Sequence, residues 1–167
     1  MITLQQAVYD AILPALPLIG IDDSEEASVM LLAIGLQESD FRFPRQMIDG
    51  KPTGPATGYW QFERGGGVHG VLSHPASADR AIRLCKARSV EPESGAVWAQ
   101  LEHDDILAAG FARLLLWTDP YLLPGLYDPG AAWECYERVW RPGKPHPAAW
   151  VSNHARAKSM TLSISTQ

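Results

Sequence analysis

The sequence predicts a single, mainly α-helical domain with one long irregular loop. Apolar residues recur at the spacing of a helix face along most of the 167 residues. Between residues 41 and 76 this spacing is lost, and glycine and proline accumulate instead. Since a chain of this length can bury a sizeable core without dividing, one domain of about six or seven helices is expected.

Two helices are expected before the loop. The first covers residues 3–13 and should end at Pro14 and Pro17, because proline lacks a backbone N–H and clashes with the preceding turn. The second follows Asp22-Asp23-Ser24, whose side chains can accept hydrogen bonds from the first free N–H groups of a helix. It should run to about residue 38, with its apolar stripe leading to Glu38.

The loop and the segments after it carry further signals. A loop of this length usually has a function or contains short elements of its own, and the sequence allows a small hairpin around Thr57–Phe62. Asp128 followed by Pro129 is a typical helix start. The tail Thr161–Gln167 is expected to fray. The helices predicted after the loop cover residues 77–88, 94–102, 104–117, 129–140 and 147–160.

Charge and cysteine content restrict the function classes. The net charge is -5, so the chain shows no basic surface of the kind that binds nucleic acid, and it gains no attraction to an anionic cell envelope. No apolar run approaches the ~20 residues of a membrane span, and the N-terminus lacks the features of a signal peptide. Cys85 and Cys135 do not by themselves define a disulfide, and the helical pattern around Cys135 favours a buried free thiol.

Glu38 is the main catalytic candidate. A carboxyl group on the apolar stripe of a helix is expected to be buried, and burial raises its pKa. The negative end of the helix dipole raises that pKa further. Both effects favour the protonated form, which a general acid in glycoside cleavage requires. The other interpretations are an exposed position at the helix end and a structural ion pair with Arg42 or Arg45.

Glu63 is a second candidate carboxylate, and Asp40 and Asp49 are others nearby in the chain. Glu63 can hold a water molecule or face a positively charged sugar centre. Its neighbour Arg64 also allows a simple exposed ion pair, which would contribute little to stability. The distance between the carboxyl groups does not follow from the sequence.

Four segments carry motifs in a recognisable order. They are Gln37-Glu38-Ser39 after an apolar helix, Gly58-Tyr59-Trp60-Gln61-Phe62, the helical stretch Asp105–Leu114, and the alanine-rich stretch Ala131–Tyr136. In this order they resemble the lysozyme-like superfamily, in particular lytic transglycosylases and goose-type lysozymes. The first resembles that family's Glu-Ser motif and the second its Gly-Leu-Met-Gln-aliphatic motif. The resemblance covers about residues 25–140, and it implies one lysozyme-like helical domain over residues 1–167.

The resemblance also implies roles for particular residues. Glu38 corresponds to the general acid, Ser39 to the serine that helps to orient it, and Tyr136 to the tyrosine whose hydroxyl lies near the acid. Gln61 corresponds to a polar residue that lines the sugar groove. Glu63 corresponds to the acid that follows this glutamine by two positions in goose-type lysozymes, so it is counted with the catalytic residues.

The implied activity is cleavage of the β-1,4 bond between MurNAc and GlcNAc in peptidoglycan, with no metal or cofactor. If Glu63 holds water, the reaction is a hydrolysis, and this outcome is favoured; otherwise the sugar's own N-acetyl or 6-hydroxyl group completes a lytic transglycosylase reaction with anhydro-MurNAc ends. Ser39 and Gln61 are expected to bind substrate. Three neighbouring aromatic residues can stack on sugar rings or pack the loop onto the core, and both interpretations stay open: Tyr59, Trp60 and Phe62.

The segment after Tyr136 also resembles phage-encoded members. A phage or prophage protein of this kind would be made in the cytoplasm of a bacterial host, without a signal peptide. It would then act on the peptidoglycan glycan strand in the periplasm or cell wall, either as an endolysin after holin-type release or as a virion component. A monomer is assumed.

Other function classes are less well indicated. The five histidines form no His-Glu-x-x-His pattern, and the cysteines form no Cys-x-x-Cys pattern, so zinc hydrolysis is not favoured. Cys85 has only Lys86 and Arg88 nearby to activate a thiol nucleophile. The main rival is a non-catalytic structural protein of a phage particle with the same fold. The acidic net charge and the Glu137 that follows Tyr136, where the family has asparagine, favour this rival a little.

Overall fold

The computed structural model describes residues 1–166, and its architecture is mainly helical. Helices take up 61% of the chain and strands 4%, which confirms that the fold is mainly α-helical. Among the described residues, no helix is both long enough and apolar enough to cross a bilayer. The α-helices are α1 (Leu4–Gln6), α2 (Leu13–Ile19), α3 (Glu25–Ser39), α4 (His69–Ser73), α5 (Ala78–Ala87), α6 (Ser94–Gln100), α7 (Asp105–Trp117), α8 (Pro129–Trp140) and α9 (Trp150–Ser165).

The expectation that Pro14 and Pro17 end the first helix is wrong. A π-helical segment, Ala7–Ile12, joins α1 to α2, so the chain stays helical from Leu4 to Ile19. At its end, the N–H of Leu13 donates to the carbonyl of Val8, five residues back. This wider turn gives room for the ring of Pro14 and needs no N–H from it.

Helix α3 forms the centre of the fold. The hydroxyl of Ser24 accepts a hydrogen bond from the N–H of Ala27 at 3.1 Å, as its N-cap sequence predicts. Every residue from Ala27 to Leu36 is buried, so the helix is enclosed on all sides rather than on one stripe. It packs mainly along α9, with further contacts to α7 and to the N-terminal π-helical segment.

The predicted hairpin in the loop is present and small. Strands β1 (Ala56–Thr57) and β2 (Phe62–Glu63) pair antiparallel, with Thr57 opposite Phe62. The irregular region is shorter than expected, because a π-helical turn (Arg64–Val68) and α4 lie inside it. Val68 and Val71 are fully buried in the core and anchor this glycine-rich segment, whose helical backbone is interrupted at Gly66 with φ -96° and ψ -105°.

The C-terminal tail does not fray where the sequence predicts. Helix α9 continues through Thr161 to Ser165, and Gln167 lies outside the described residues. Thr161 is buried like Trp150 and Ala157 earlier in the helix. Packing against α3 therefore extends the helix beyond the point where local sequence signals end.

Candidate active site

Glu38 lies in the last turn of α3, close to where the chain reverses direction. The helix ends at Ser39, and the two residues after it have left-handed backbones, with φ 49° at the C-cap Asp40 and φ 52° at Phe41. The ring of Phe41 then folds back over Gly35, where a β-carbon would collide with it. The absence of a side chain at Gly35 thus allows the sharp turn that brings the end of α3 to the hairpin.

The carboxyl group of Glu38 is mostly enclosed and has one direct partner. The hydroxyl of Tyr136, on α8, donates a hydrogen bond of 2.7 Å to its Oε1 atom. Burial raises the pKa of Glu38 above 4.5, and the hydrogen bond from Tyr136 opposes part of that rise. Burial and the nearby Glu38 carboxyl group also raise the pKa of Tyr136, so its hydroxyl stays a donor.

The ion pairs considered for Glu38 are made by other carboxylates. Arg42 pairs with Asp40 at 3.3 Å, and Arg45 pairs with Glu102 at 3.0 Å. Within residues 1–166, no cation lies within ion-pair distance of Glu38. The pKa of its carboxyl group therefore depends on two opposing effects, because burial raises it and the hydrogen bond from Tyr136 lowers it.

Tyr136 is held in place by aromatic packing. Its ring stacks on Trp150 of α9 with the centroids 5.1 Å apart, and the ring of Trp133 lies 5.2 Å away. The Nε1–H of Trp150 donates to the carbonyl of Pro129 at the start of α8. Three aromatic rings from two helices thus hold the Tyr136 hydroxyl beside Glu38.

A cleft of about 1060 Å³ runs past this pair. It brings together five of the predicted site residues from three parts of the chain: Glu38, Gln61, Phe62, Glu63 and Tyr136. Glu63 follows Phe62 at the end of the hairpin, and its side chain is exposed. That side chain makes no hydrogen bond or ion pair with any residue of the described chain. The carboxylate of Glu63 is thus available to water or a ligand, while Asp40 and Asp49 lie outside the cleft lining.

Ser39 and Gln61 shape the site through the backbone. The Ser39 hydroxyl donates to the carbonyl of Tyr59 at 2.7 Å and accepts from the N–H of Phe41 at 3.2 Å. It joins α3 to the hairpin and does not line the cleft, so its position supports an orienting role rather than substrate binding. Gln61 lines the cleft at φ 52°, and its amide donates to the carbonyl of Gly58 at 2.9 Å.

The three aromatic residues around Gln61 belong to the core. Tyr59, Trp60 and Phe62 are at most 4% exposed, so they are not free to stack on sugar rings. Trp60 donates to the carbonyl of Leu31 at 2.8 Å and packs edge-on against Phe41. Of the two interpretations left open by the sequence, core packing describes these rings, because Trp60 bonds to α3 while Phe62 packs against Phe111 of α7 and Trp140 of α8.

Two features of the cleft have no signal in the sequence. Asp119, just after α7, forms an ion pair of 2.7 Å with Arg138 of α8 in the cleft wall. The amide of Gln37 donates to the carbonyl of His146 at 2.9 Å and accepts from Asn153 at 3.0 Å. Both contacts connect segments that are distant in sequence, so no local sequence pattern predicts them.

The charge around the cleft differs from that of the whole chain. Although the net charge is -5, several basic or titratable nitrogen side chains line it: His74, Arg138, Arg141, Lys144 and His146. Glu38, Glu63 and Asp119 line the same cleft, and Asp119 pairs with Arg138, so Arg141 and Lys144 are its two Lys or Arg side chains without an ion pair in the described chain. Among the described residues, no three potential metal ligands lie together, and Cys85 and Cys135 are both buried free thiols, as favoured for Cys135.

Comparison of the chain with protein-family models, with curated proteins and with solved structures finds no match. The function is therefore inferred from the chemistry of the cleft, together with the motif resemblance described above.

Proposed function

We propose that the protein is a muramidase that cleaves the MurNAc-GlcNAc β-1,4 bond of peptidoglycan, with Glu38 as general acid. The observation that carries this proposal is the 2.7 Å hydrogen bond from Tyr136 to Glu38 in the wall of a large cleft. Burial there raises the pKa of Glu38, which favours the proton-bearing form of the carboxyl group. The ordered motifs that resemble the lysozyme-like superfamily support the same function.

In the proposed reaction, the glycan strand lies along the cleft between the end of α3 and the hairpin. Tyr136 keeps its hydrogen bond to Oε1 of Glu38, so Oε2 carries the proton that is given to the glycosidic oxygen. The bond to Tyr136 favours the charged carboxylate. It therefore strengthens as the proton leaves, while burial keeps the acid protonated beforehand.

Glu63 is proposed to activate the water that completes the reaction. Its exposed carboxylate in the cleft wall has no partner within residues 1–166, which leaves it able to hold a water molecule. Water held on the face opposite the leaving group would give hydrolysis with inversion. Without such a base, the N-acetyl or 6-hydroxyl group of the substrate would complete a lytic transglycosylase reaction.

The basic side chains along the cleft fit a substrate with carboxylate groups. Peptidoglycan carries acidic peptides on its MurNAc residues, and Arg141 and Lys144 line the cleft without an ion pair in the described chain. The proposed place of action is the cell wall of a bacterial host, either during lysis or from within a virion.

The first experiment compares the clearing of chloroform-treated Gram-negative cells by the wild type, Glu38→Gln and Glu134→Gln. Glu134 is exposed on α8 and does not line the cleft, so its substitution is the matched control. We expect Glu38→Gln to lose activity by about 10²–10⁴-fold and the control to clear like the wild type. If folded wild-type protein clears no cells and releases no fragments from purified peptidoglycan, the non-catalytic phage structural role is favoured instead.

The second experiment identifies the products by mass. Hydrolysed ends are heavier by one water than the anhydro ends of a transglycosylase. We expect hydrolysed ends from the wild type and loss of water addition in Glu63→Gln. Unchanged hydrolysis by Glu63→Gln would eliminate Glu63 as the base, and anhydro ends from the wild type would assign the transglycosylase reaction.

A further inference from the structure

Arg113, in the middle of α7, is a buried cation whose donor groups are unmatched. It is 5% exposed, and its guanidinium makes no hydrogen bond or ion pair with any residue of the described chain. Its Nε–H is fully enclosed without an acceptor. A guanidinium carries five N–H donors in a rigid fork, and those on its two terminal nitrogens, which are not enclosed like Nε, are left to donate to a partner from outside the chain.

Arg113 lines a second pocket of about 520 Å³. On one side it lies over the ring of Trp117, at 5.1 Å from the centroid, and Arg80 lies over the same ring at 5.4 Å. Arg80 is already engaged with the carbonyls of Ile19 and Gly20. Arg113 is thus the cation in this pocket that has donors to offer.

The nearby carboxylates do not neutralise Arg113 by contact. Asp23 is close enough to influence its pKa but accepts a hydrogen bond from Ser28, and Asp119 is paired with Arg138. Glu26 lines the pocket without an ion pair to Arg113. These acids disfavour a doubly charged ligand such as phosphate, so a single carboxylate fits the local charge better.

The rest of the pocket is largely apolar and open to solvent, with Ser24, Glu26 and Asp119 as its other polar residues. Trp117 is 41% exposed, Tyr121 67% and Leu122 95%, and all three line the pocket together with Leu116 and Leu123. Large side chains with this exposure around a concave site are typical of ligand contact surfaces.

We propose that this pocket binds a small ligand that carries one carboxylate on an apolar body. The carboxylate accepts hydrogen bonds from the guanidinium of Arg113, and the apolar body lies against Trp117 and Leu122. This site shares Asp119 and Tyr121 with the wall of the Glu38 cleft but contains none of the proposed catalytic residues, and it does not depend on the proposed muramidase activity.

The test is a titration of the ¹⁵N-labelled protein followed by NMR, with N-acetyl-L-leucine as the probe and N-acetyl-L-leucinamide as its uncharged counterpart. The indole N–H signal of Trp117, assigned with Trp117→Phe, reports occupation. We expect a saturable shift with the acid and at least about tenfold weaker binding of the amide, because only the acid supplies a carboxylate.

Substitutions of Arg113 test whether its guanidinium binds the carboxylate of the ligand. Arg113→Gln should weaken acid binding by about tenfold or more, and Arg113→Lys, which keeps the charge but loses the fork, should weaken it partly. The control Arg156→Gln removes an exposed guanidinium outside both pockets and should bind like the wild type. If Arg113→Gln does not fold, the Arg113→Lys variant and the amide comparison still decide the question. Equal shifts with acid and amide, or no saturable shift with the acid, would overturn the proposal and leave Arg113 as a structural cation satisfied by water.

Discussion

The surroundings of the Glu38 carboxyl group lower the stability of the folded protein when this group is charged, but they suit a proton donor. Burial raises its pKa, and the single hydrogen bond from Tyr136 only partly compensates. A group of this kind costs folding energy when it is charged, which is typical of functional sites. One substitution at Glu38 tests the effect on protein stability, and one at Tyr136 tests the effect on activity.

Glu38→Gln is expected to stabilise the protein at neutral pH. Because the folded pKa of Glu38 is raised, its favourable contribution is complete below about 4.5 and is lost as the pH rises through the folded pKa. Glutamine never ionises and can still accept the hydrogen bond from Tyr136. Urea unfolding should therefore show a more stable variant at about pH 7.5, with the difference disappearing near pH 4. Equal stability at both pH values would mean that Glu38 is not penalised by burial.

Tyr136→Phe is expected to move the pH profile of activity. The substitution keeps the ring that stacks on Trp150 but removes the hydrogen bond that lowers the pKa of Glu38. The alkaline limb of the profile should shift to higher pH, and turnover should fall by about 10–100-fold for the loss of a hydrogen bond to a charged group. Tyr127→Phe, at an exposed tyrosine, is the control. An unchanged profile would show that Tyr136 does not act on Glu38.

Helix α3 and the turn after it act as one element that places the acid. The helix is buried all round, and the chain reverses at Asp40 and Phe41 so that Ser39 can bond to the hairpin. The close approach of Phe41 to Gly35 makes this turn sensitive to a single added methyl group.

Gly35→Ala is expected to destabilise the protein by about 1–3 kcal/mol, because the new β-carbon would occupy the space of the Phe41 ring. Displacement of Phe41 should also lower activity, since the end of α3 carries Glu38. Thermal and urea unfolding measure the first effect, and cell clearing measures the second. Gly125→Ala, where an added β-carbon meets open space, should leave both unchanged. Wild-type stability of Gly35→Ala would show that the turn can relax freely.

The whole molecule is organised around one core with a cleft beside it. Cys85 and Cys135 are both buried in this core as free thiols, and burial raises the pKa of each to about 11. Neither is in a setting that favours a reactive thiolate. The two thiols therefore report on the integrity of the core as a unit.

Thiol-specific reagents are expected to react slowly with the native protein and to modify both cysteines in denaturant. The physical reason is that each thiol must be exposed by unfolding and ionised before it reacts. The rate of labelling in increasing urea should follow the global unfolding transition measured by circular dichroism. Fast reaction of either thiol without urea would show that its part of the core opens independently.

Local patterns carry much of the helical architecture. Helical spacing, the cap at Ser24 and the Asp128-Pro129 start correctly predict α3 and α8, and the Thr57–Phe62 region forms the expected hairpin. These features depend on hydrogen bonds and side-chain periodicity within a few residues, so they can be read along the chain. Glu38 could likewise be located near the end of an apolar helix.

Other features arise only when distant segments pack together. The helix continues past Pro14 because a π-helical turn and tertiary burial outweigh the local penalty of proline, and α9 persists to Ser165 because it lies along α3. The sequence could not reveal that the rings around Gln61 are buried, or that Arg113 lacks a partner. The motif resemblance implies that the Tyr136 hydroxyl lies near Glu38, but the hydrogen bond itself and the burial around it depend on which surfaces meet in three dimensions rather than on neighbouring residues.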